Sequence, residues 1–169
     1  MSPIHDAEAW QARLAALPLA SYGAGETVFA EGTKTGRLLI LKSGAVSVVK
    51  GGSEIAKVAE PGAVFGELSA LLDQPHSADV RTLEPSEFHV ADAAALLGQD
   101  PAALLYVTMI LARRLDAANR AFLELKHQIE AGEPPGLIEK TVERIEGLLS
   151  AIGTGYIRAG AGYSGYPFA

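Results

Sequence analysis

Pro61-Gly62-Ala63-Val64-Phe65-Gly66-Glu67-Leu68-Ser69-Ala70-Leu71-Leu72-Asp73-Gln74-Pro75-His76-Ser77-Ala78-Asp79-Val80 reads as a turn, a short helical piece and a return to strand. Pro61-Gly62 suits a type II turn. Gly66 lets the backbone come close to a ligand, and the free N–H groups that open Glu67–Leu72 form a small anion site built from backbone dipoles. Such a site needs no positively charged protein. Glu67 in the first turn complements the helix dipole, and its carboxylate can accept a hydrogen bond from a ribose hydroxyl. A plain helix-start glutamate explains that residue equally well from position alone. His76 and Ser77 add an imidazole and a hydroxyl.

Around this stretch, from Tyr22 to about Ala91, short β-favouring runs alternate with turn formers: Thr27–Ala30, Arg37–Lys42, Ala45–Lys50, Glu54–Ala59, Ala78–Leu83 and Glu87–Ala91. Ser43-Gly44 and Gly51-Gly52 supply turn residues, so antiparallel hairpins in a sandwich or barrel are expected. Before them, Asp6 can cap a helix over residues 6–17 that carries Trp10, Leu14 and Leu17 on one side and ends at Pro18.

After the strands, Asp100-Pro101 marks a helix start, and helical patterning runs to about Glu130. Leu104, Thr108, Leu111, Leu115, Ala118, Phe122, Leu125 and Ile129 step by fours and threes, a heptad seam. A helix of about 30 residues is ~45 Å long at ~1.5 Å per residue, more than one β unit covers. The expectation is a homodimer through residues 101–130, the helices running parallel. Packing of this stripe on its own β unit is the plainer alternative. Residues 131–136, with Gly132, Pro134, Pro135 and Gly136, read as a hinge. Beyond it, residues 137–169 hold a short amphipathic helix, with Ile138, Val142, Ile145, Leu149 and Ile152 on one face, and a Gly/Tyr-rich tail. This appendage is the expected docking segment for a protein partner.

The 169 residues carry 14 Lys and Arg against 20 Asp and Glu, a net charge of -6 that disfavours a basic nucleic-acid module or an anionic-membrane binder. The absence of cysteine excludes disulfides, thiolate zinc sites and a cysteine nucleophile, and fits a reducing compartment. No run approaches the ~20 apolar residues of a membrane span, and the N-terminus lacks secretory-signal features, so a cytoplasmic location is expected. His5, His76, His89 and His127 are scattered, with no carboxylates at metal-ligand spacing, and Gly66-Glu67-Leu68-Ser69-Ala70 is no nucleophile elbow. The expectation is no catalytic residue, no metal, no cofactor and no enzyme activity.

Taken in order, Gly25-Glu26-Thr27-Val28-Phe29-Ala30-Glu31-Gly32, Leu38-Leu39-Ile40-Leu41-Lys42-Ser43-Gly44 and Pro61–Leu68 resemble the β-roll and phosphate-binding cassette of the cyclic-nucleotide-binding domain family. Ala112-Arg113-Arg114-Leu115 is similar to the dimer helix of the catabolite activator (Crp/Fnr-like) group. The resemblance implies a mainly β fold with α: an antiparallel β-roll of jelly-roll type over residues 1–130, flanked by an N-terminal helix and a long C-terminal dimer helix. It implies a signalling module for cAMP or cGMP. Its binding residues would be Phe65, Gly66, Glu67, Leu68, Ser69, His76, Ser77 and Ala78, with Glu67 on the ribose 2′-hydroxyl and Ala118 and Asn119 facing the purine. Only one convincing helix follows Glu130, so the helix-turn-helix of DNA-binding relatives has no room, and no nucleic-acid binding by the chain itself is expected.

Two departures stand out. The family places arginine at His76, and a histidine reaches less far and is mostly neutral at neutral pH. Weaker affinity follows, and a cassette that binds no nucleotide and serves as an interaction module is the alternative. Asp79 adds an acid beside the cassette, which repels the ligand or pairs with His76 or Arg81.

Overall fold

Leu38-Leu39-Ile40-Leu41 is apolar on both faces, the signature of a strand with neighbours above and below. The computed structural model, which describes residues 7–151, puts it there. Strand β3 (Arg37–Ser43) lies in an antiparallel sheet with β1 (Leu19–Tyr22), β8 (Ser86–Asp92) and β6 (Val64–Phe65), in the order β1-β8-β3-β6. A second antiparallel sheet has the order β2-β7-β4-β5, from β2 (Thr27–Phe29), β7 (Asp79–Thr82), β4 (Val46–Lys50) and β5 (Ser53–Val58). Leu39 and Leu41 point between the sheets, where they meet Phe29, Val46, Phe65 and Phe88. Leu38 and Ile40 point the other way, into helices α1 (Ala7–Ala15), α3 (Ala93–Gln99) and α4 (Pro101–Glu130). This is the expected β-roll with flanking helices. Helix α2 (Glu67–Leu72) interrupts it between β6 and β7.

Asp100 starts α4 as expected. Its carboxylate accepts from the Ala102 and Ala103 amides at 3.0 and 3.2 Å and also holds Arg13 of α1. Ala103, Val107 and Ile110 then bury one side of the first half of the helix, beside Trp10, which stacks on Tyr106 at 4.2 Å. The packed stripe is therefore not the heptad seam. Along the seam Leu115, Phe122 and Ile129 are 62%, 66% and 60% exposed, so the plainer alternative fails for its second half.

Residues 131–136 do not let the chain run outward. Gly132 adopts a positive φ of 67°, the Glu133 amide returns to the Gln128 carbonyl at 3.0 Å, and helix α5 (Pro135–Ala151) folds back against α4 and β5. Its inner face carries buried Thr141 between half-buried Ile138 and Ile145, while Val142, expected on the same face as these isoleucines, is 40% exposed. Asp6, Ile152 and the Gly/Tyr-rich tail lie outside the described residues, as does the side chain of Leu149. Strands β1 and β6 and helix α3 had no counterpart in the sequence reading.

Among the described residues no single helix is long and apolar enough to cross a membrane. Helices α3 and α4 are long and apolar enough only when taken together, and they meet at a 104° bend.

Candidate ligand cavity

A cavity of about 280 Å³ opens between the β4–β5 hairpin and the α2 segment. Its volume lies just below the ~300–1,000 Å³ common for small-ligand sites. Val48, Ile55, Ala56, Val58 and Val80 provide an apolar wall. The cassette residues Phe65 to Ser69 and His76 to Ala78 line the rest, so all the expected positions of the cassette converge on one space.

Gly66 is required by the roll itself. At φ 91° a Cβ there would stand 2.5 Å from the Arg37 carbonyl oxygen and 3.1 Å from the Phe29 ring. It is also the N-cap of α2 and offers no side-chain acceptor to the first-turn amides.

Glu67 is 4% exposed, and its carboxylate is already engaged. Arg114 reaches down from α4, donating from Nη1 to Glu67 Oε1 at 2.5 Å and from Nη2 to the Val64 carbonyl at 3.1 Å. Arg114 itself lines the cavity. The sequence reading singled out Arg114 only as a mark of the dimer helix. No local spacing marked it for a site role, because its partner Glu67 lies 47 positions away.

His76 is 5% exposed and lines the cavity. Its ring stacks on Phe29 at 4.1 Å, and Nε2 shares a 2.9 Å hydrogen bond with Thr35 Oγ1. Desolvation holds its pKa below the usual histidine range, which keeps the ring neutral at neutral pH.

Other expected site residues have different tasks. Ser69 is buried and donates from Oγ to the Gln74 carbonyl at 2.5 Å, closing the turn after α2. Leu68 is 39% exposed, while Ser77 and Ala78 are half-buried at the rim. Ala118 and Asn119 do not line the cavity. They are exposed on α4, because the helix leaves the β-roll after Arg114. Asp79 pairs with Arg81 at 2.6 Å and accepts the Glu31 amide at 2.7 Å, rather than meeting His76. The Glu31 amide, then Arg81, lowers its pKa. No cluster of potential metal ligands occurs among the described residues.

Residues 19–99 match the family model described as the cyclic nucleotide-binding domain. With the two-sheet roll and the cassette in place, this part of the chain is similar to cyclic nucleotide-binding domains and has their fold. The catabolite activator protein of Thermus thermophilus is 25% identical, with a TM-score of 0.58 over 90% of this chain and 88% of that one. A cyclic nucleotide-binding domain from Methylobacillus flagellatus is 26% identical, with a TM-score of 0.55 over 63% of this chain and 66% of that one, just under two thirds. The regulatory subunit of a cAMP-independent protein kinase A from Trypanosoma brucei shares the fold at 20% identity and a TM-score of 0.51, over 56% of this chain and 35% of that one. No curated protein matches the chain significantly.

Proposed function

We propose that this chain is a regulatory module rather than an enzyme, that its cavity takes cAMP or a related 3′,5′-cyclic purine nucleotide, and that occupancy is signalled along α4. The observation that carries this reading is the meeting of Gly66, Glu67, Ser77 and the α4 residue Arg114 at one cavity. A ribose hydroxyl donating to Glu67 competes with the Arg114 guanidinium. The ligand thereby favours one placement of α4 over another, the differential interaction that any such shift requires. The exposed seam at Leu115, Phe122 and Ile129 supports a homodimer through this helix. The acidic balance supports action without nucleic acid or membrane, and the cysteine-free sequence fits the reducing cytoplasm.

Calorimetric titration of the full chain with cAMP and cGMP tests the reading. Micromolar or weaker binding is expected at neutral pH. His76→Arg should tighten it by about 10- to 150-fold, the equivalent of ~1.5–3 kcal/mol for a charged hydrogen bond. No heat from either variant removes the reading.

A second reading, a nucleotide-free interaction module, is favoured by one observation: Glu67 and His76 are already satisfied by Arg114 and Thr35. Partner capture that depends on residues 137–169 and ignores added nucleotide would support it.

A further inference from the structure

Resting on the cyclic-nucleotide reading, we propose that the cavity takes up a proton together with its phosphodiester anion and that His76 receives that proton. The reason is charge balance. The cavity holds one permanent cation, Arg114, and one carboxylate, Glu67, and each already neutralises the other. An anion entering beside a neutral His76 would have only the partial charges of the backbone amides after Gly66 to offset it, which leaves a buried full charge unbalanced and is unfavourable. A proton from solvent restores neutrality.

The surroundings of His76 accept either protonation state. Thr35 Oγ1 takes the Arg37 amide as a donor at 3.3 Å, so its own proton can go to Nε2 of a neutral ring. When Nε2 is protonated, the hydroxyl rotates and accepts instead. The Phe29 face stacked at 4.1 Å also favours an imidazolium. With Nε2 held by Thr35, the second ring nitrogen remains for the anion.

The nearby charges do not already protonate the ring. Asp79 on β7 is held by Arg81 and the Glu31 amide. Asp73, after α2, is held by Lys34. The Glu31 carboxylate accepts the Gly51 amide, and the Glu67 of α2 and Arg114 of α4 hold each other. The free cavity therefore keeps a neutral histidine, and burial lowers its pKa in the same direction.

Affinity for cAMP should fall by nearly tenfold per pH unit above about pH 6.5, where the free histidine has lost its proton and the complex retains it. The experiment is calorimetry of the full chain with cAMP at acid and mildly alkaline pH, each in two buffers of different ionisation heat. Tighter binding at the acid end, with buffer-dependent heats that report close to one proton taken up at the alkaline end, is the expected result. His76→Gln should abolish both signs, and His76→Arg should bind more tightly without either.

Binding with pH-independent affinity and buffer-independent heat overturns the proposal. So does a pH slope that survives in a folded His76→Gln; if that variant does not fold, the wild-type buffer comparison decides. Binding by His76→Arg, with none by the wild type even at acid pH, overturns the proton step while leaving the cyclic-nucleotide reading intact. Silence from both proteins ends that reading as well.

Discussion

Removal of Arg114 tests how the cavity is tied to α4. In Arg114→Ala the Glu67 side chain, 5% exposed, keeps its charge and loses its partner, and the Val64 carbonyl loses a donor at 3.1 Å. Breaking a buried ion pair from one side costs about 3–5 kcal/mol. Because the Arg114 side chain is itself 24% exposed, the loss belongs near the lower limit, about 3 kcal/mol. For a chain of this size that lowers Tm by about 6–12 °C. Urea unfolding should show the same loss as a lower midpoint at unchanged m. Glu67→Gln in the Arg114→Ala background should recover about 1–2 kcal/mol, since a neutral amide is easier to bury than an unpaired carboxylate. A loss below about 1 kcal/mol, the value of a surface pair, would refute the reasoning, as would strict additivity in the cycle.

Gly66→Ala combines a positive φ, costing about 1–2 kcal/mol, with a Cβ against fixed backbone at 2.5 Å, so it should lose about 3 kcal/mol or fail to fold. Gly25→Ala, also at positive φ but with nothing within 4 Å, should lose only the conformational part, and chemical denaturation of the two compares them. The seam predicts a dimer by sedimentation that Phe122→Glu converts to monomer; a wild-type monomer at all concentrations would contradict it. His76 and His89 both have pKa values lowered by desolvation, so the unfolded chain binds more protons near pH 6.5. Stability should therefore be retained above about pH 6.5 and fall as the pH drops below it, and His76→Gln should flatten part of that fall in pH-dependent melting curves.

The cassette was legible because its logic is local. Gly66 must turn, Glu67 must start a helix, and both jobs are settled within a few residues. The long helix was legible from Asp100-Pro101 and its stripe. Strand β6 has two residues and β1 has four, too few for alternation to register, and pairing with β3 and β8 creates them. The Arg114–Glu67 contact spans 47 positions and depends on how α4 crosses the roll, so no spacing rule announces it. The histidine at position 76 was noticed, but its inward placement follows from Phe29 and Thr35, supplied by a strand and a loop far away in the chain. The fold-back of α5 is likewise tertiary: a glycine-proline hinge permits many directions, and burial against β5 selects one.

These features place the decisive contact where the helix changes its role. Up to Ile110, α4 is fastened to the β-roll by Ala103, Val107 and Ile110; from Leu115 onward it exposes the seam. Arg114 stands between the two regimes, as the point where the helix still holds the cavity. Beyond it about 16 residues of helix form an arm of ~24 Å, so a tilt of ~10° at Arg114 would move the Glu130 end by ~4 Å. A shift of that size is enough to change the register or splay of a paired seam. On the proposed reading, competition at Glu67 would be read at the Glu130 end of α4, and α5, packed on both β5 and α4, sets how far that arm can swing from the roll.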